Sequence, residues 1–162
     1  MGEKSGSKLS KRRVLRRKEA RRLKEEAGKL LGKTEPNTID EAEIEDGTVV
    51  YIVDGDVQLA RKGGLLFPTL TNSNISQLPS VFVDRGAIPY VCNGADVMAP
   101  GVKEIRGEFE EGSLVVVRDI EHSKALAVGT ALFTSGELRK MNKGKAVRTL
   151  HFVGDKLWKV VG

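Results

Sequence analysis

The sequence predicts an α+β protein: a small, curled, β-barrel-like C-terminal domain preceded by a small α/β N-terminal domain. Three observations predict it. The 162 residues suit one large domain or two small ones. Charge is segregated along the chain: residues 1–33 hold thirteen Lys/Arg against four Glu, residues 34–78 two basic against eight acidic side chains, and residues 79–162 twelve against ten. From Val81 onward, short apolar runs alternate with Gly-rich turns, the pattern of about six short strands with two short helices.

The elements follow in order. "MGEKSGSKLS" is small and polar, and its start is expected to be disordered. "SKRRVLRRKEARRLKEEAGKLLG" is rich in Ala, Leu, Arg, Lys and Glu and predicts a helix, with Ser10 as its N-cap and Gly32 at its C-terminal end. Leu15, Leu23, Ala27, Leu30 and Leu31 form a narrow apolar stripe on an otherwise basic cylinder. Residues 1–33 thus read as a basic helical arm, and "KTEPNTIDEAEIEDG" as an acidic connector. "TVVYIVDGDVQLARKGG" carries "DGD" between two apolar runs, a hairpin signal. "LLFPTL" is a short edge strand limited by Pro68. The arm and residues 34–77 make the first domain, and the turn-rich "TNSNISQLPS" sets the boundary.

In the second half, "VFVD" is a strand. "GAIPYVCNG" allows a short helix from near Ala87, with Pro89 in its first turn and Gly94 at its end. "LVVVRD" is a buried strand, and "HSKALAVGTALFT" a long one with a bulge or bend at Gly129. "SGELRKMNKG" is a short helix capped by Ser135, and "KAVRTLHFVGDKLWKVV" reads as strand, turn, strand.

Composition narrows the function. No apolar run is long enough to cross a bilayer, and no secretory leader is visible, which predicts a cytoplasmic protein without membrane contact. Cys92 is the sole cysteine and reads as a small buried apolar residue. His122 and His151 are 29 residues apart without acidic partners in a motif, so no metal site is expected. His151 reads as structural and His122 as solvated. No Gly-x-Ser-x-Gly or Walker spacing occurs, and "EFEE" reads as a solvated turn, so neither catalytic residues nor a cofactor are expected. Phe152 and Trp158 read as core, and the exposure of Tyr90 stays open.

The stretch "VDRGAIPYVCNGADVMAPGV", followed by "LVVVRD", "ALAVGTALFTSGEL" and "NKGKAVRTLHFVGDKLW", resembles the PUA domain, named for pseudouridine synthases and archaeosine transglycosylases. The resemblance runs over residues 78–162. With "TVVYIVDGDVQLARKGGLLFPTL" before it, the chain is similar to the malignant T-cell amplified translation factors and their archaeal relatives. The resemblance implies a pseudo-barrel and an RNA-binding protein without catalytic residues, contacting rRNA or tRNA. The partners it implies are the small ribosomal subunit or a translation-factor partner protein.

The resemblance places RNA contact at Gly94, Ala95, Val97, Met98, Pro100 and Gly101, with Lys103 and Arg106 adding charge. Glycine lacks a Cβ, so this loop can offer backbone amides to phosphate or sugar oxygens. In the arm, eight basic residues fall between Lys11 and Arg22, and Arg12, Arg13, Arg16 and Arg17 are the expected phosphate contacts. Two other functions remain open. One is an accessory RNA-binding subunit of an archaeosine or pseudouridine modification enzyme. The other is a protein–protein adaptor working through Val50, Ile52, Leu65, Leu66 and Phe67.

Overall fold

The opposed charges of the first two segments meet in one antiparallel strand pair. The computed structural model describes residues 8–161, so the expected disorder of residues 1–7 lies outside the described residues. Ser10–Val14 is a strand (β1) and Ile39–Glu43 another (β2), with Arg13 opposite Glu41 and Val14 opposite Asp40. Lys11 reaches Glu43 at 3.6 Å, Arg12 reaches Asp40 at 2.8 Å, and Arg13 reaches Glu41 at 3.2 Å.

Two sequence expectations are corrected here: the first stretch is not helix, and the second is not a connector. Helix propensities among ordinary residues differ by at most about 0.7 kcal/mol each. Opposite charges facing across strands contribute about 0.2–1 kcal/mol per pair, enough to reverse the preference. The helix therefore begins later, at Arg17–Leu31 (α1), and Ser10 does not cap it. Glu19 holds the start instead, its carboxylate accepting from the Arg16 amide at 2.9 Å. Gly32 closes the other end at φ +87°, its amide donating to the Gly28 carbonyl at 3.0 Å.

Val49–Val53 (β3), Asp56–Lys62 (β4) and Leu65–Pro68 (β5) complete a five-stranded meander in the order β1-β2-β3-β4-β5. The "DGD" turn is a hairpin, with Asp54 at φ 50° and Gly55 at φ 93°, the two positive values a two-residue hairpin loop favours. Pro68 lies on the edge strand β5, where a missing N–H is tolerated. Leu23 and Leu31 of α1 are buried. Arg61 of β4 ties the helix down by donating to Glu26 at 2.8 and 3.1 Å, and it also donates to the Tyr51 hydroxyl at 3.1 Å.

The second unit, Leu78–Asp155, has six strands: Ser80–Val83 (β6), Val97–Met98 (β7), Val102–Arg106 (β8), Leu114–Asp119 (β9), Ala125–Ala131 (β10) and Lys145–Phe152 (β11). Two short helices, Ile88–Val91 (α2) and Ser135–Lys140 (α3), complete it. The sheet order is β7-β11-β10-β9-β6-β8, and β6–β9 is its parallel pair. The two edge strands, β7 and β8, are joined by Ala99–Gly101 alone. Four residue steps reach at most about 14 Å, whereas five strand spacings of a flat sheet span about 24 Å. The sheet must therefore curl until its edges approach each other.

Gly129 marks the bend in β10. The β10–β11 register shifts between Val128 and Gly129, and a Cβ built there collides with the Arg148 carbonyl and the Val147 side chain. Inside the curl the core is aliphatic, with Val81, Val83, Val115, Val117, Ala127 and Val147 fully buried. His151 is buried with Nδ1 3.0 Å from the Asp155 carboxylate, a structural role. The cap of α3 is Thr134, one residue before the expected Ser135. Thr134 Oγ1 accepts from the Glu137 amide at 3.1 Å, and the Glu137 carboxylate accepts from the Thr134 amide at 2.9 Å. Ser135 is buried, its hydroxyl donating to Glu108 at 2.9 Å.

The last element corrects the sequence reading again. Lys156–Val161 is a helix (α4), not a strand, and it clusters with the first unit rather than with Leu78–Asp155. In "KLWKVV" the exposed lysines are three apart and Leu157 is buried, a spacing that one and a half helical turns satisfy as well as alternation does. Lys156 lies 3.5 Å from Glu45.

Three outcomes follow from this architecture. A fragment of residues 78–155 should unfold in urea as one cooperative transition, because its sheet and core are internal to it. Gly129→Val should destabilise the protein by roughly 2 kcal/mol or more, since overpacking beside backbone cannot relax; the shift in urea midpoint measures it. The third concerns the β9–β10 turn, where the Asp119 carboxylate accepts from the amides of His122 and Lys124. The His122 amide above all holds its pKa below the ordinary value. Stability from a lowered carboxylate pKa is present above the unfolded value, about 3.9, and is lost as pH falls through the folded one. Asp119→Asn should therefore lower stability at pH 7 and flatten the loss of stability below about pH 4, read from denaturation curves at both pH values.

Candidate nucleic-acid interface

The stretch around α2 folds as a strand, a tight turn, a short helix and a return. Asp84 starts it, its Oδ1 accepting from the Ala87 amide at 3.0 Å. Pro89 occupies the first turn of α2, where its missing N–H leaves nothing unpaired. Gly94 ends the helix at φ +90° with its amide on the Val91 carbonyl at 3.0 Å, and the Ala95 amide donates to the Tyr90 carbonyl at 3.0 Å. These two amides are used inside the turn. Gly94 also lies against the ring of Phe152, which a Cβ would meet at 3.0 Å. The glycine at 94 thus lets the chain's own aromatic ring approach. What the stretch offers outward is side chains.

A shallow groove of about 280 Å³ lies between α2 and β7. Tyr90, Met98, Pro100 and Gly101 line it, with Val97 buried at its base and Asp84 and Asp96 at its margins. Tyr90 is 69% exposed and Met98 48%, and both line this one groove. Each aspartate serves the backbone with one oxygen and a lysine with the other. Asp84 Oδ2 lies 3.7 Å from Lys103 Nζ. Asp96 Oδ1 accepts from the Thr149 amide at 3.0 Å, and its Oδ2 lies 3.3 Å from Lys145 Nζ. The groove therefore has an apolar, partly aromatic lining with two carboxylates, each paired with a lysine.

Of the residues expected to touch RNA, the groove brings together Val97, Met98, Pro100 and Gly101, with Lys103 beside it. Gly94 and Ala95 support the turn behind it. Arg106 is at the far end of β8, its guanidinium 4.6 Å from the centroid of the Phe82 ring and bonded to Glu104. Arg12, Arg13, Arg16 and Arg17 belong to the other unit. Arg12 and Arg13 are engaged by Asp40, Glu41 and Glu19. That pairing, with the Arg16 amide, pulls the Glu19 carboxyl down to about 2. Arg16 and Arg17 are exposed.

Lys145 and Thr149 were not legible as site residues, because β11 lies more than forty residues along the chain and reaches the groove only through its pairing with β7. No local pattern in "KAVRTLHF" marks them, since polar and apolar residues do not alternate there. Cys92 is half-buried rather than buried, packed on the core at the end of α2, and burial pushes its thiol pKa up. Among the described residues no cluster of three or more His, Cys, Asp or Glu could hold a metal ion. No described helix is long and apolar enough to cross a membrane.

Comparison with known proteins gives this geometry a lineage. The PUA domain profile matches residues 79–153. An uncharacterised protein of Methanocaldococcus jannaschii is 39% identical over 125 residues, covering 75% of this chain and 76% of its own. Translation machinery-associated protein 20 of Saccharomyces cerevisiae is 34% identical over 122 residues, covering 70% of this chain and 67% of its own. The crystal structure of a PUA domain protein from Aeropyrum pernix superimposes with a TM-score of 0.82 at 29% identity, over 96% of this chain and 92% of that one. Matched along three quarters of both chains to its archaeal relative, and carrying the profile through its second unit, this chain belongs to the PUA-domain family that includes the translation machinery-associated and malignant T-cell-amplified proteins.

Proposed function

We propose that this protein binds RNA in the service of translation, contacting rRNA or tRNA through the groove between α2 and β7. The observation that carries the reading is Tyr90. A tyrosine 69% exposed beside Met98, on a rigid turn, is a platform on which an unstacked base can lie. Lys103 and Lys145, paired with the two aspartates that line the groove, would contact the backbone of such a nucleotide. Their aspartate partners hold the two ammonium groups in place and restrain non-specific attraction, so the groove favours a shaped, single-stranded segment over bulk polyanion. The names of the relatives support the setting, since the yeast protein is a translation machinery-associated protein. On this reading the small ribosomal subunit, or a translation factor bound to it, is the partner to look for, and no residue has a catalytic role.

Crosslinking the protein to RNA in cell extract and sequencing what is attached should enrich rRNA or tRNA, with contacts at unpaired nucleotides. Loss of one base–aromatic stack is worth about 1–3 kcal/mol. Tyr90→Ala should therefore weaken binding of the enriched RNA by roughly 5- to 150-fold while leaving the urea midpoint unchanged, because the ring is exposed. An attached pool indistinguishable from total RNA, or wild-type affinity in Tyr90→Ala, would overturn the assignment.

A further inference from the structure

We infer that the outward face of α1 is a docking surface for double-stranded RNA, distinct from the groove. The inference rests on the RNA-binding reading for its partner class and on the first unit alone for its geometry. At 3.6 residues per turn, the direction opposite the buried Leu23 and Leu31 collects Lys18, Arg21, Arg22, Glu25 and Lys29. All five are exposed, and four are cations.

Of the helix's three carboxylates only Glu25 lies on this face, one against four cations. Glu19 is held by Arg13, and Glu26 by Arg61. Among the described residues, Lys18, Arg21, Arg22 and Lys29 form no ion pair within 4 Å, whereas Lys11, Arg12 and Arg13 on β1 all do. The pairing of β1 with β2 thus sorts the basic arm into two classes. The β1 cations hold the sheet together, and the cations on the outward face of α1 are left for an external anion, while Lys24, off that face, pairs with Glu35. Two of these four are arginines, whose planar fork suits phosphate. Cations in the first helical turn also oppose the helix dipole, a local conflict that a bound polyanion relieves.

The duplex form is indicated by what the face lacks. Single strands are held by stacking on aromatic rings, and no aromatic residue precedes Tyr51 in the chain. A duplex presents its phosphates and asks for no stacking platform. The helix, about 22 Å long, offers a row of charge along its length. An anionic membrane fits less well, because the apolar side chains of α1 are turned into the core, leaving nothing to insert.

The test compares the full-length protein with Lys18→Gln/Arg21→Gln/Arg22→Gln, whose substitutions keep helix propensity. Lys140→Gln/Lys143→Gln removes exposed charge from the second unit as a control. Affinities are measured for a blunt RNA duplex and an unstructured single strand of equal length across salt concentrations, with circular dichroism confirming the helix. The triple variant should lose at least tenfold in duplex affinity near 0.1 M salt. Its log–log salt slope should flatten by about 2 to 3, at roughly 0.7–0.9 for each phosphate no longer neutralised. Single-strand binding and the lysine control should change less than threefold. Keeping the charge with Arg21→Lys/Arg22→Lys, Lys18 being native, should recover most of the slope. A triple variant with wild-type duplex affinity and slope overturns the inference, as does wild-type protein that binds single strands but not duplex; the groove reading survives both. Protein that binds neither RNA defeats both readings. Duplex binding displaced by phosphatidylserine vesicles or an acidic polypeptide through the same arginines, with duplex the weaker ligand, also overturns the inference.

Discussion

The second unit depends on the contact between Gly129 and the backbone of Arg148. There β10 and β11 come closer than any side chain allows, and the register shifts by one residue. That shift bends the sheet, and the bend brings the edge strands β7 and β8 near enough for Ala99–Gly101 to join them. The groove lies at this seam. Its floor comes from α2 and β7, and one of its lysines from β11, which reaches it only because of the curl. A glycine with no direct part in binding therefore sets the distance between the groups that would bind.

The first unit is organised by charge. Basic β1 and acidic β2 form a ladder in which each cation of the strand finds a carboxylate. Individually such exposed pairs contribute little; together they choose strand over helix for a sequence whose local preferences are helical. The same pairing decides which arginines remain available. Two adjacent runs of similar composition thus have opposite roles: one is consumed in the fold and the other faces solvent.

Much of this was legible in the sequence. The "DGD" hairpin, the Pro68 edge strand, the buried "LVVVRD" strand, the bend at Gly129 and the Gly32 helix end all follow from local rules, because the residues concerned act on their own backbone. What escaped was decided by partners distant in sequence. The strand character of Ser10–Val14 depends on Asp40, Glu41 and Glu43. The cap of α3 fell to Thr134 because Phe109 and Glu108 claim Ser135. The helical state of Lys156–Val161 depends on a unit whose other residues end at Gln77. In the groove, Met98, Pro100 and Gly101 were found through a family pattern, whereas Lys145 needed the β7–β11 register. Gly94 carried a plausible functional signal, yet the ring it accommodates is the chain's own Phe152.

The return of α4 to the first unit makes that unit discontinuous in the chain. A ribosome making this protein releases β1 to β5 early and must then translate 78 further residues, Leu78–Asp155, before the closing helix exists. At about 5–20 residues per second that interval is roughly 4–16 s. Throughout it the nascent first unit lacks Leu157 and the ion pair from Lys156 to Glu45. The unit that starts first is therefore the one that finishes last, and a premature stop within the second unit would leave both unfinished.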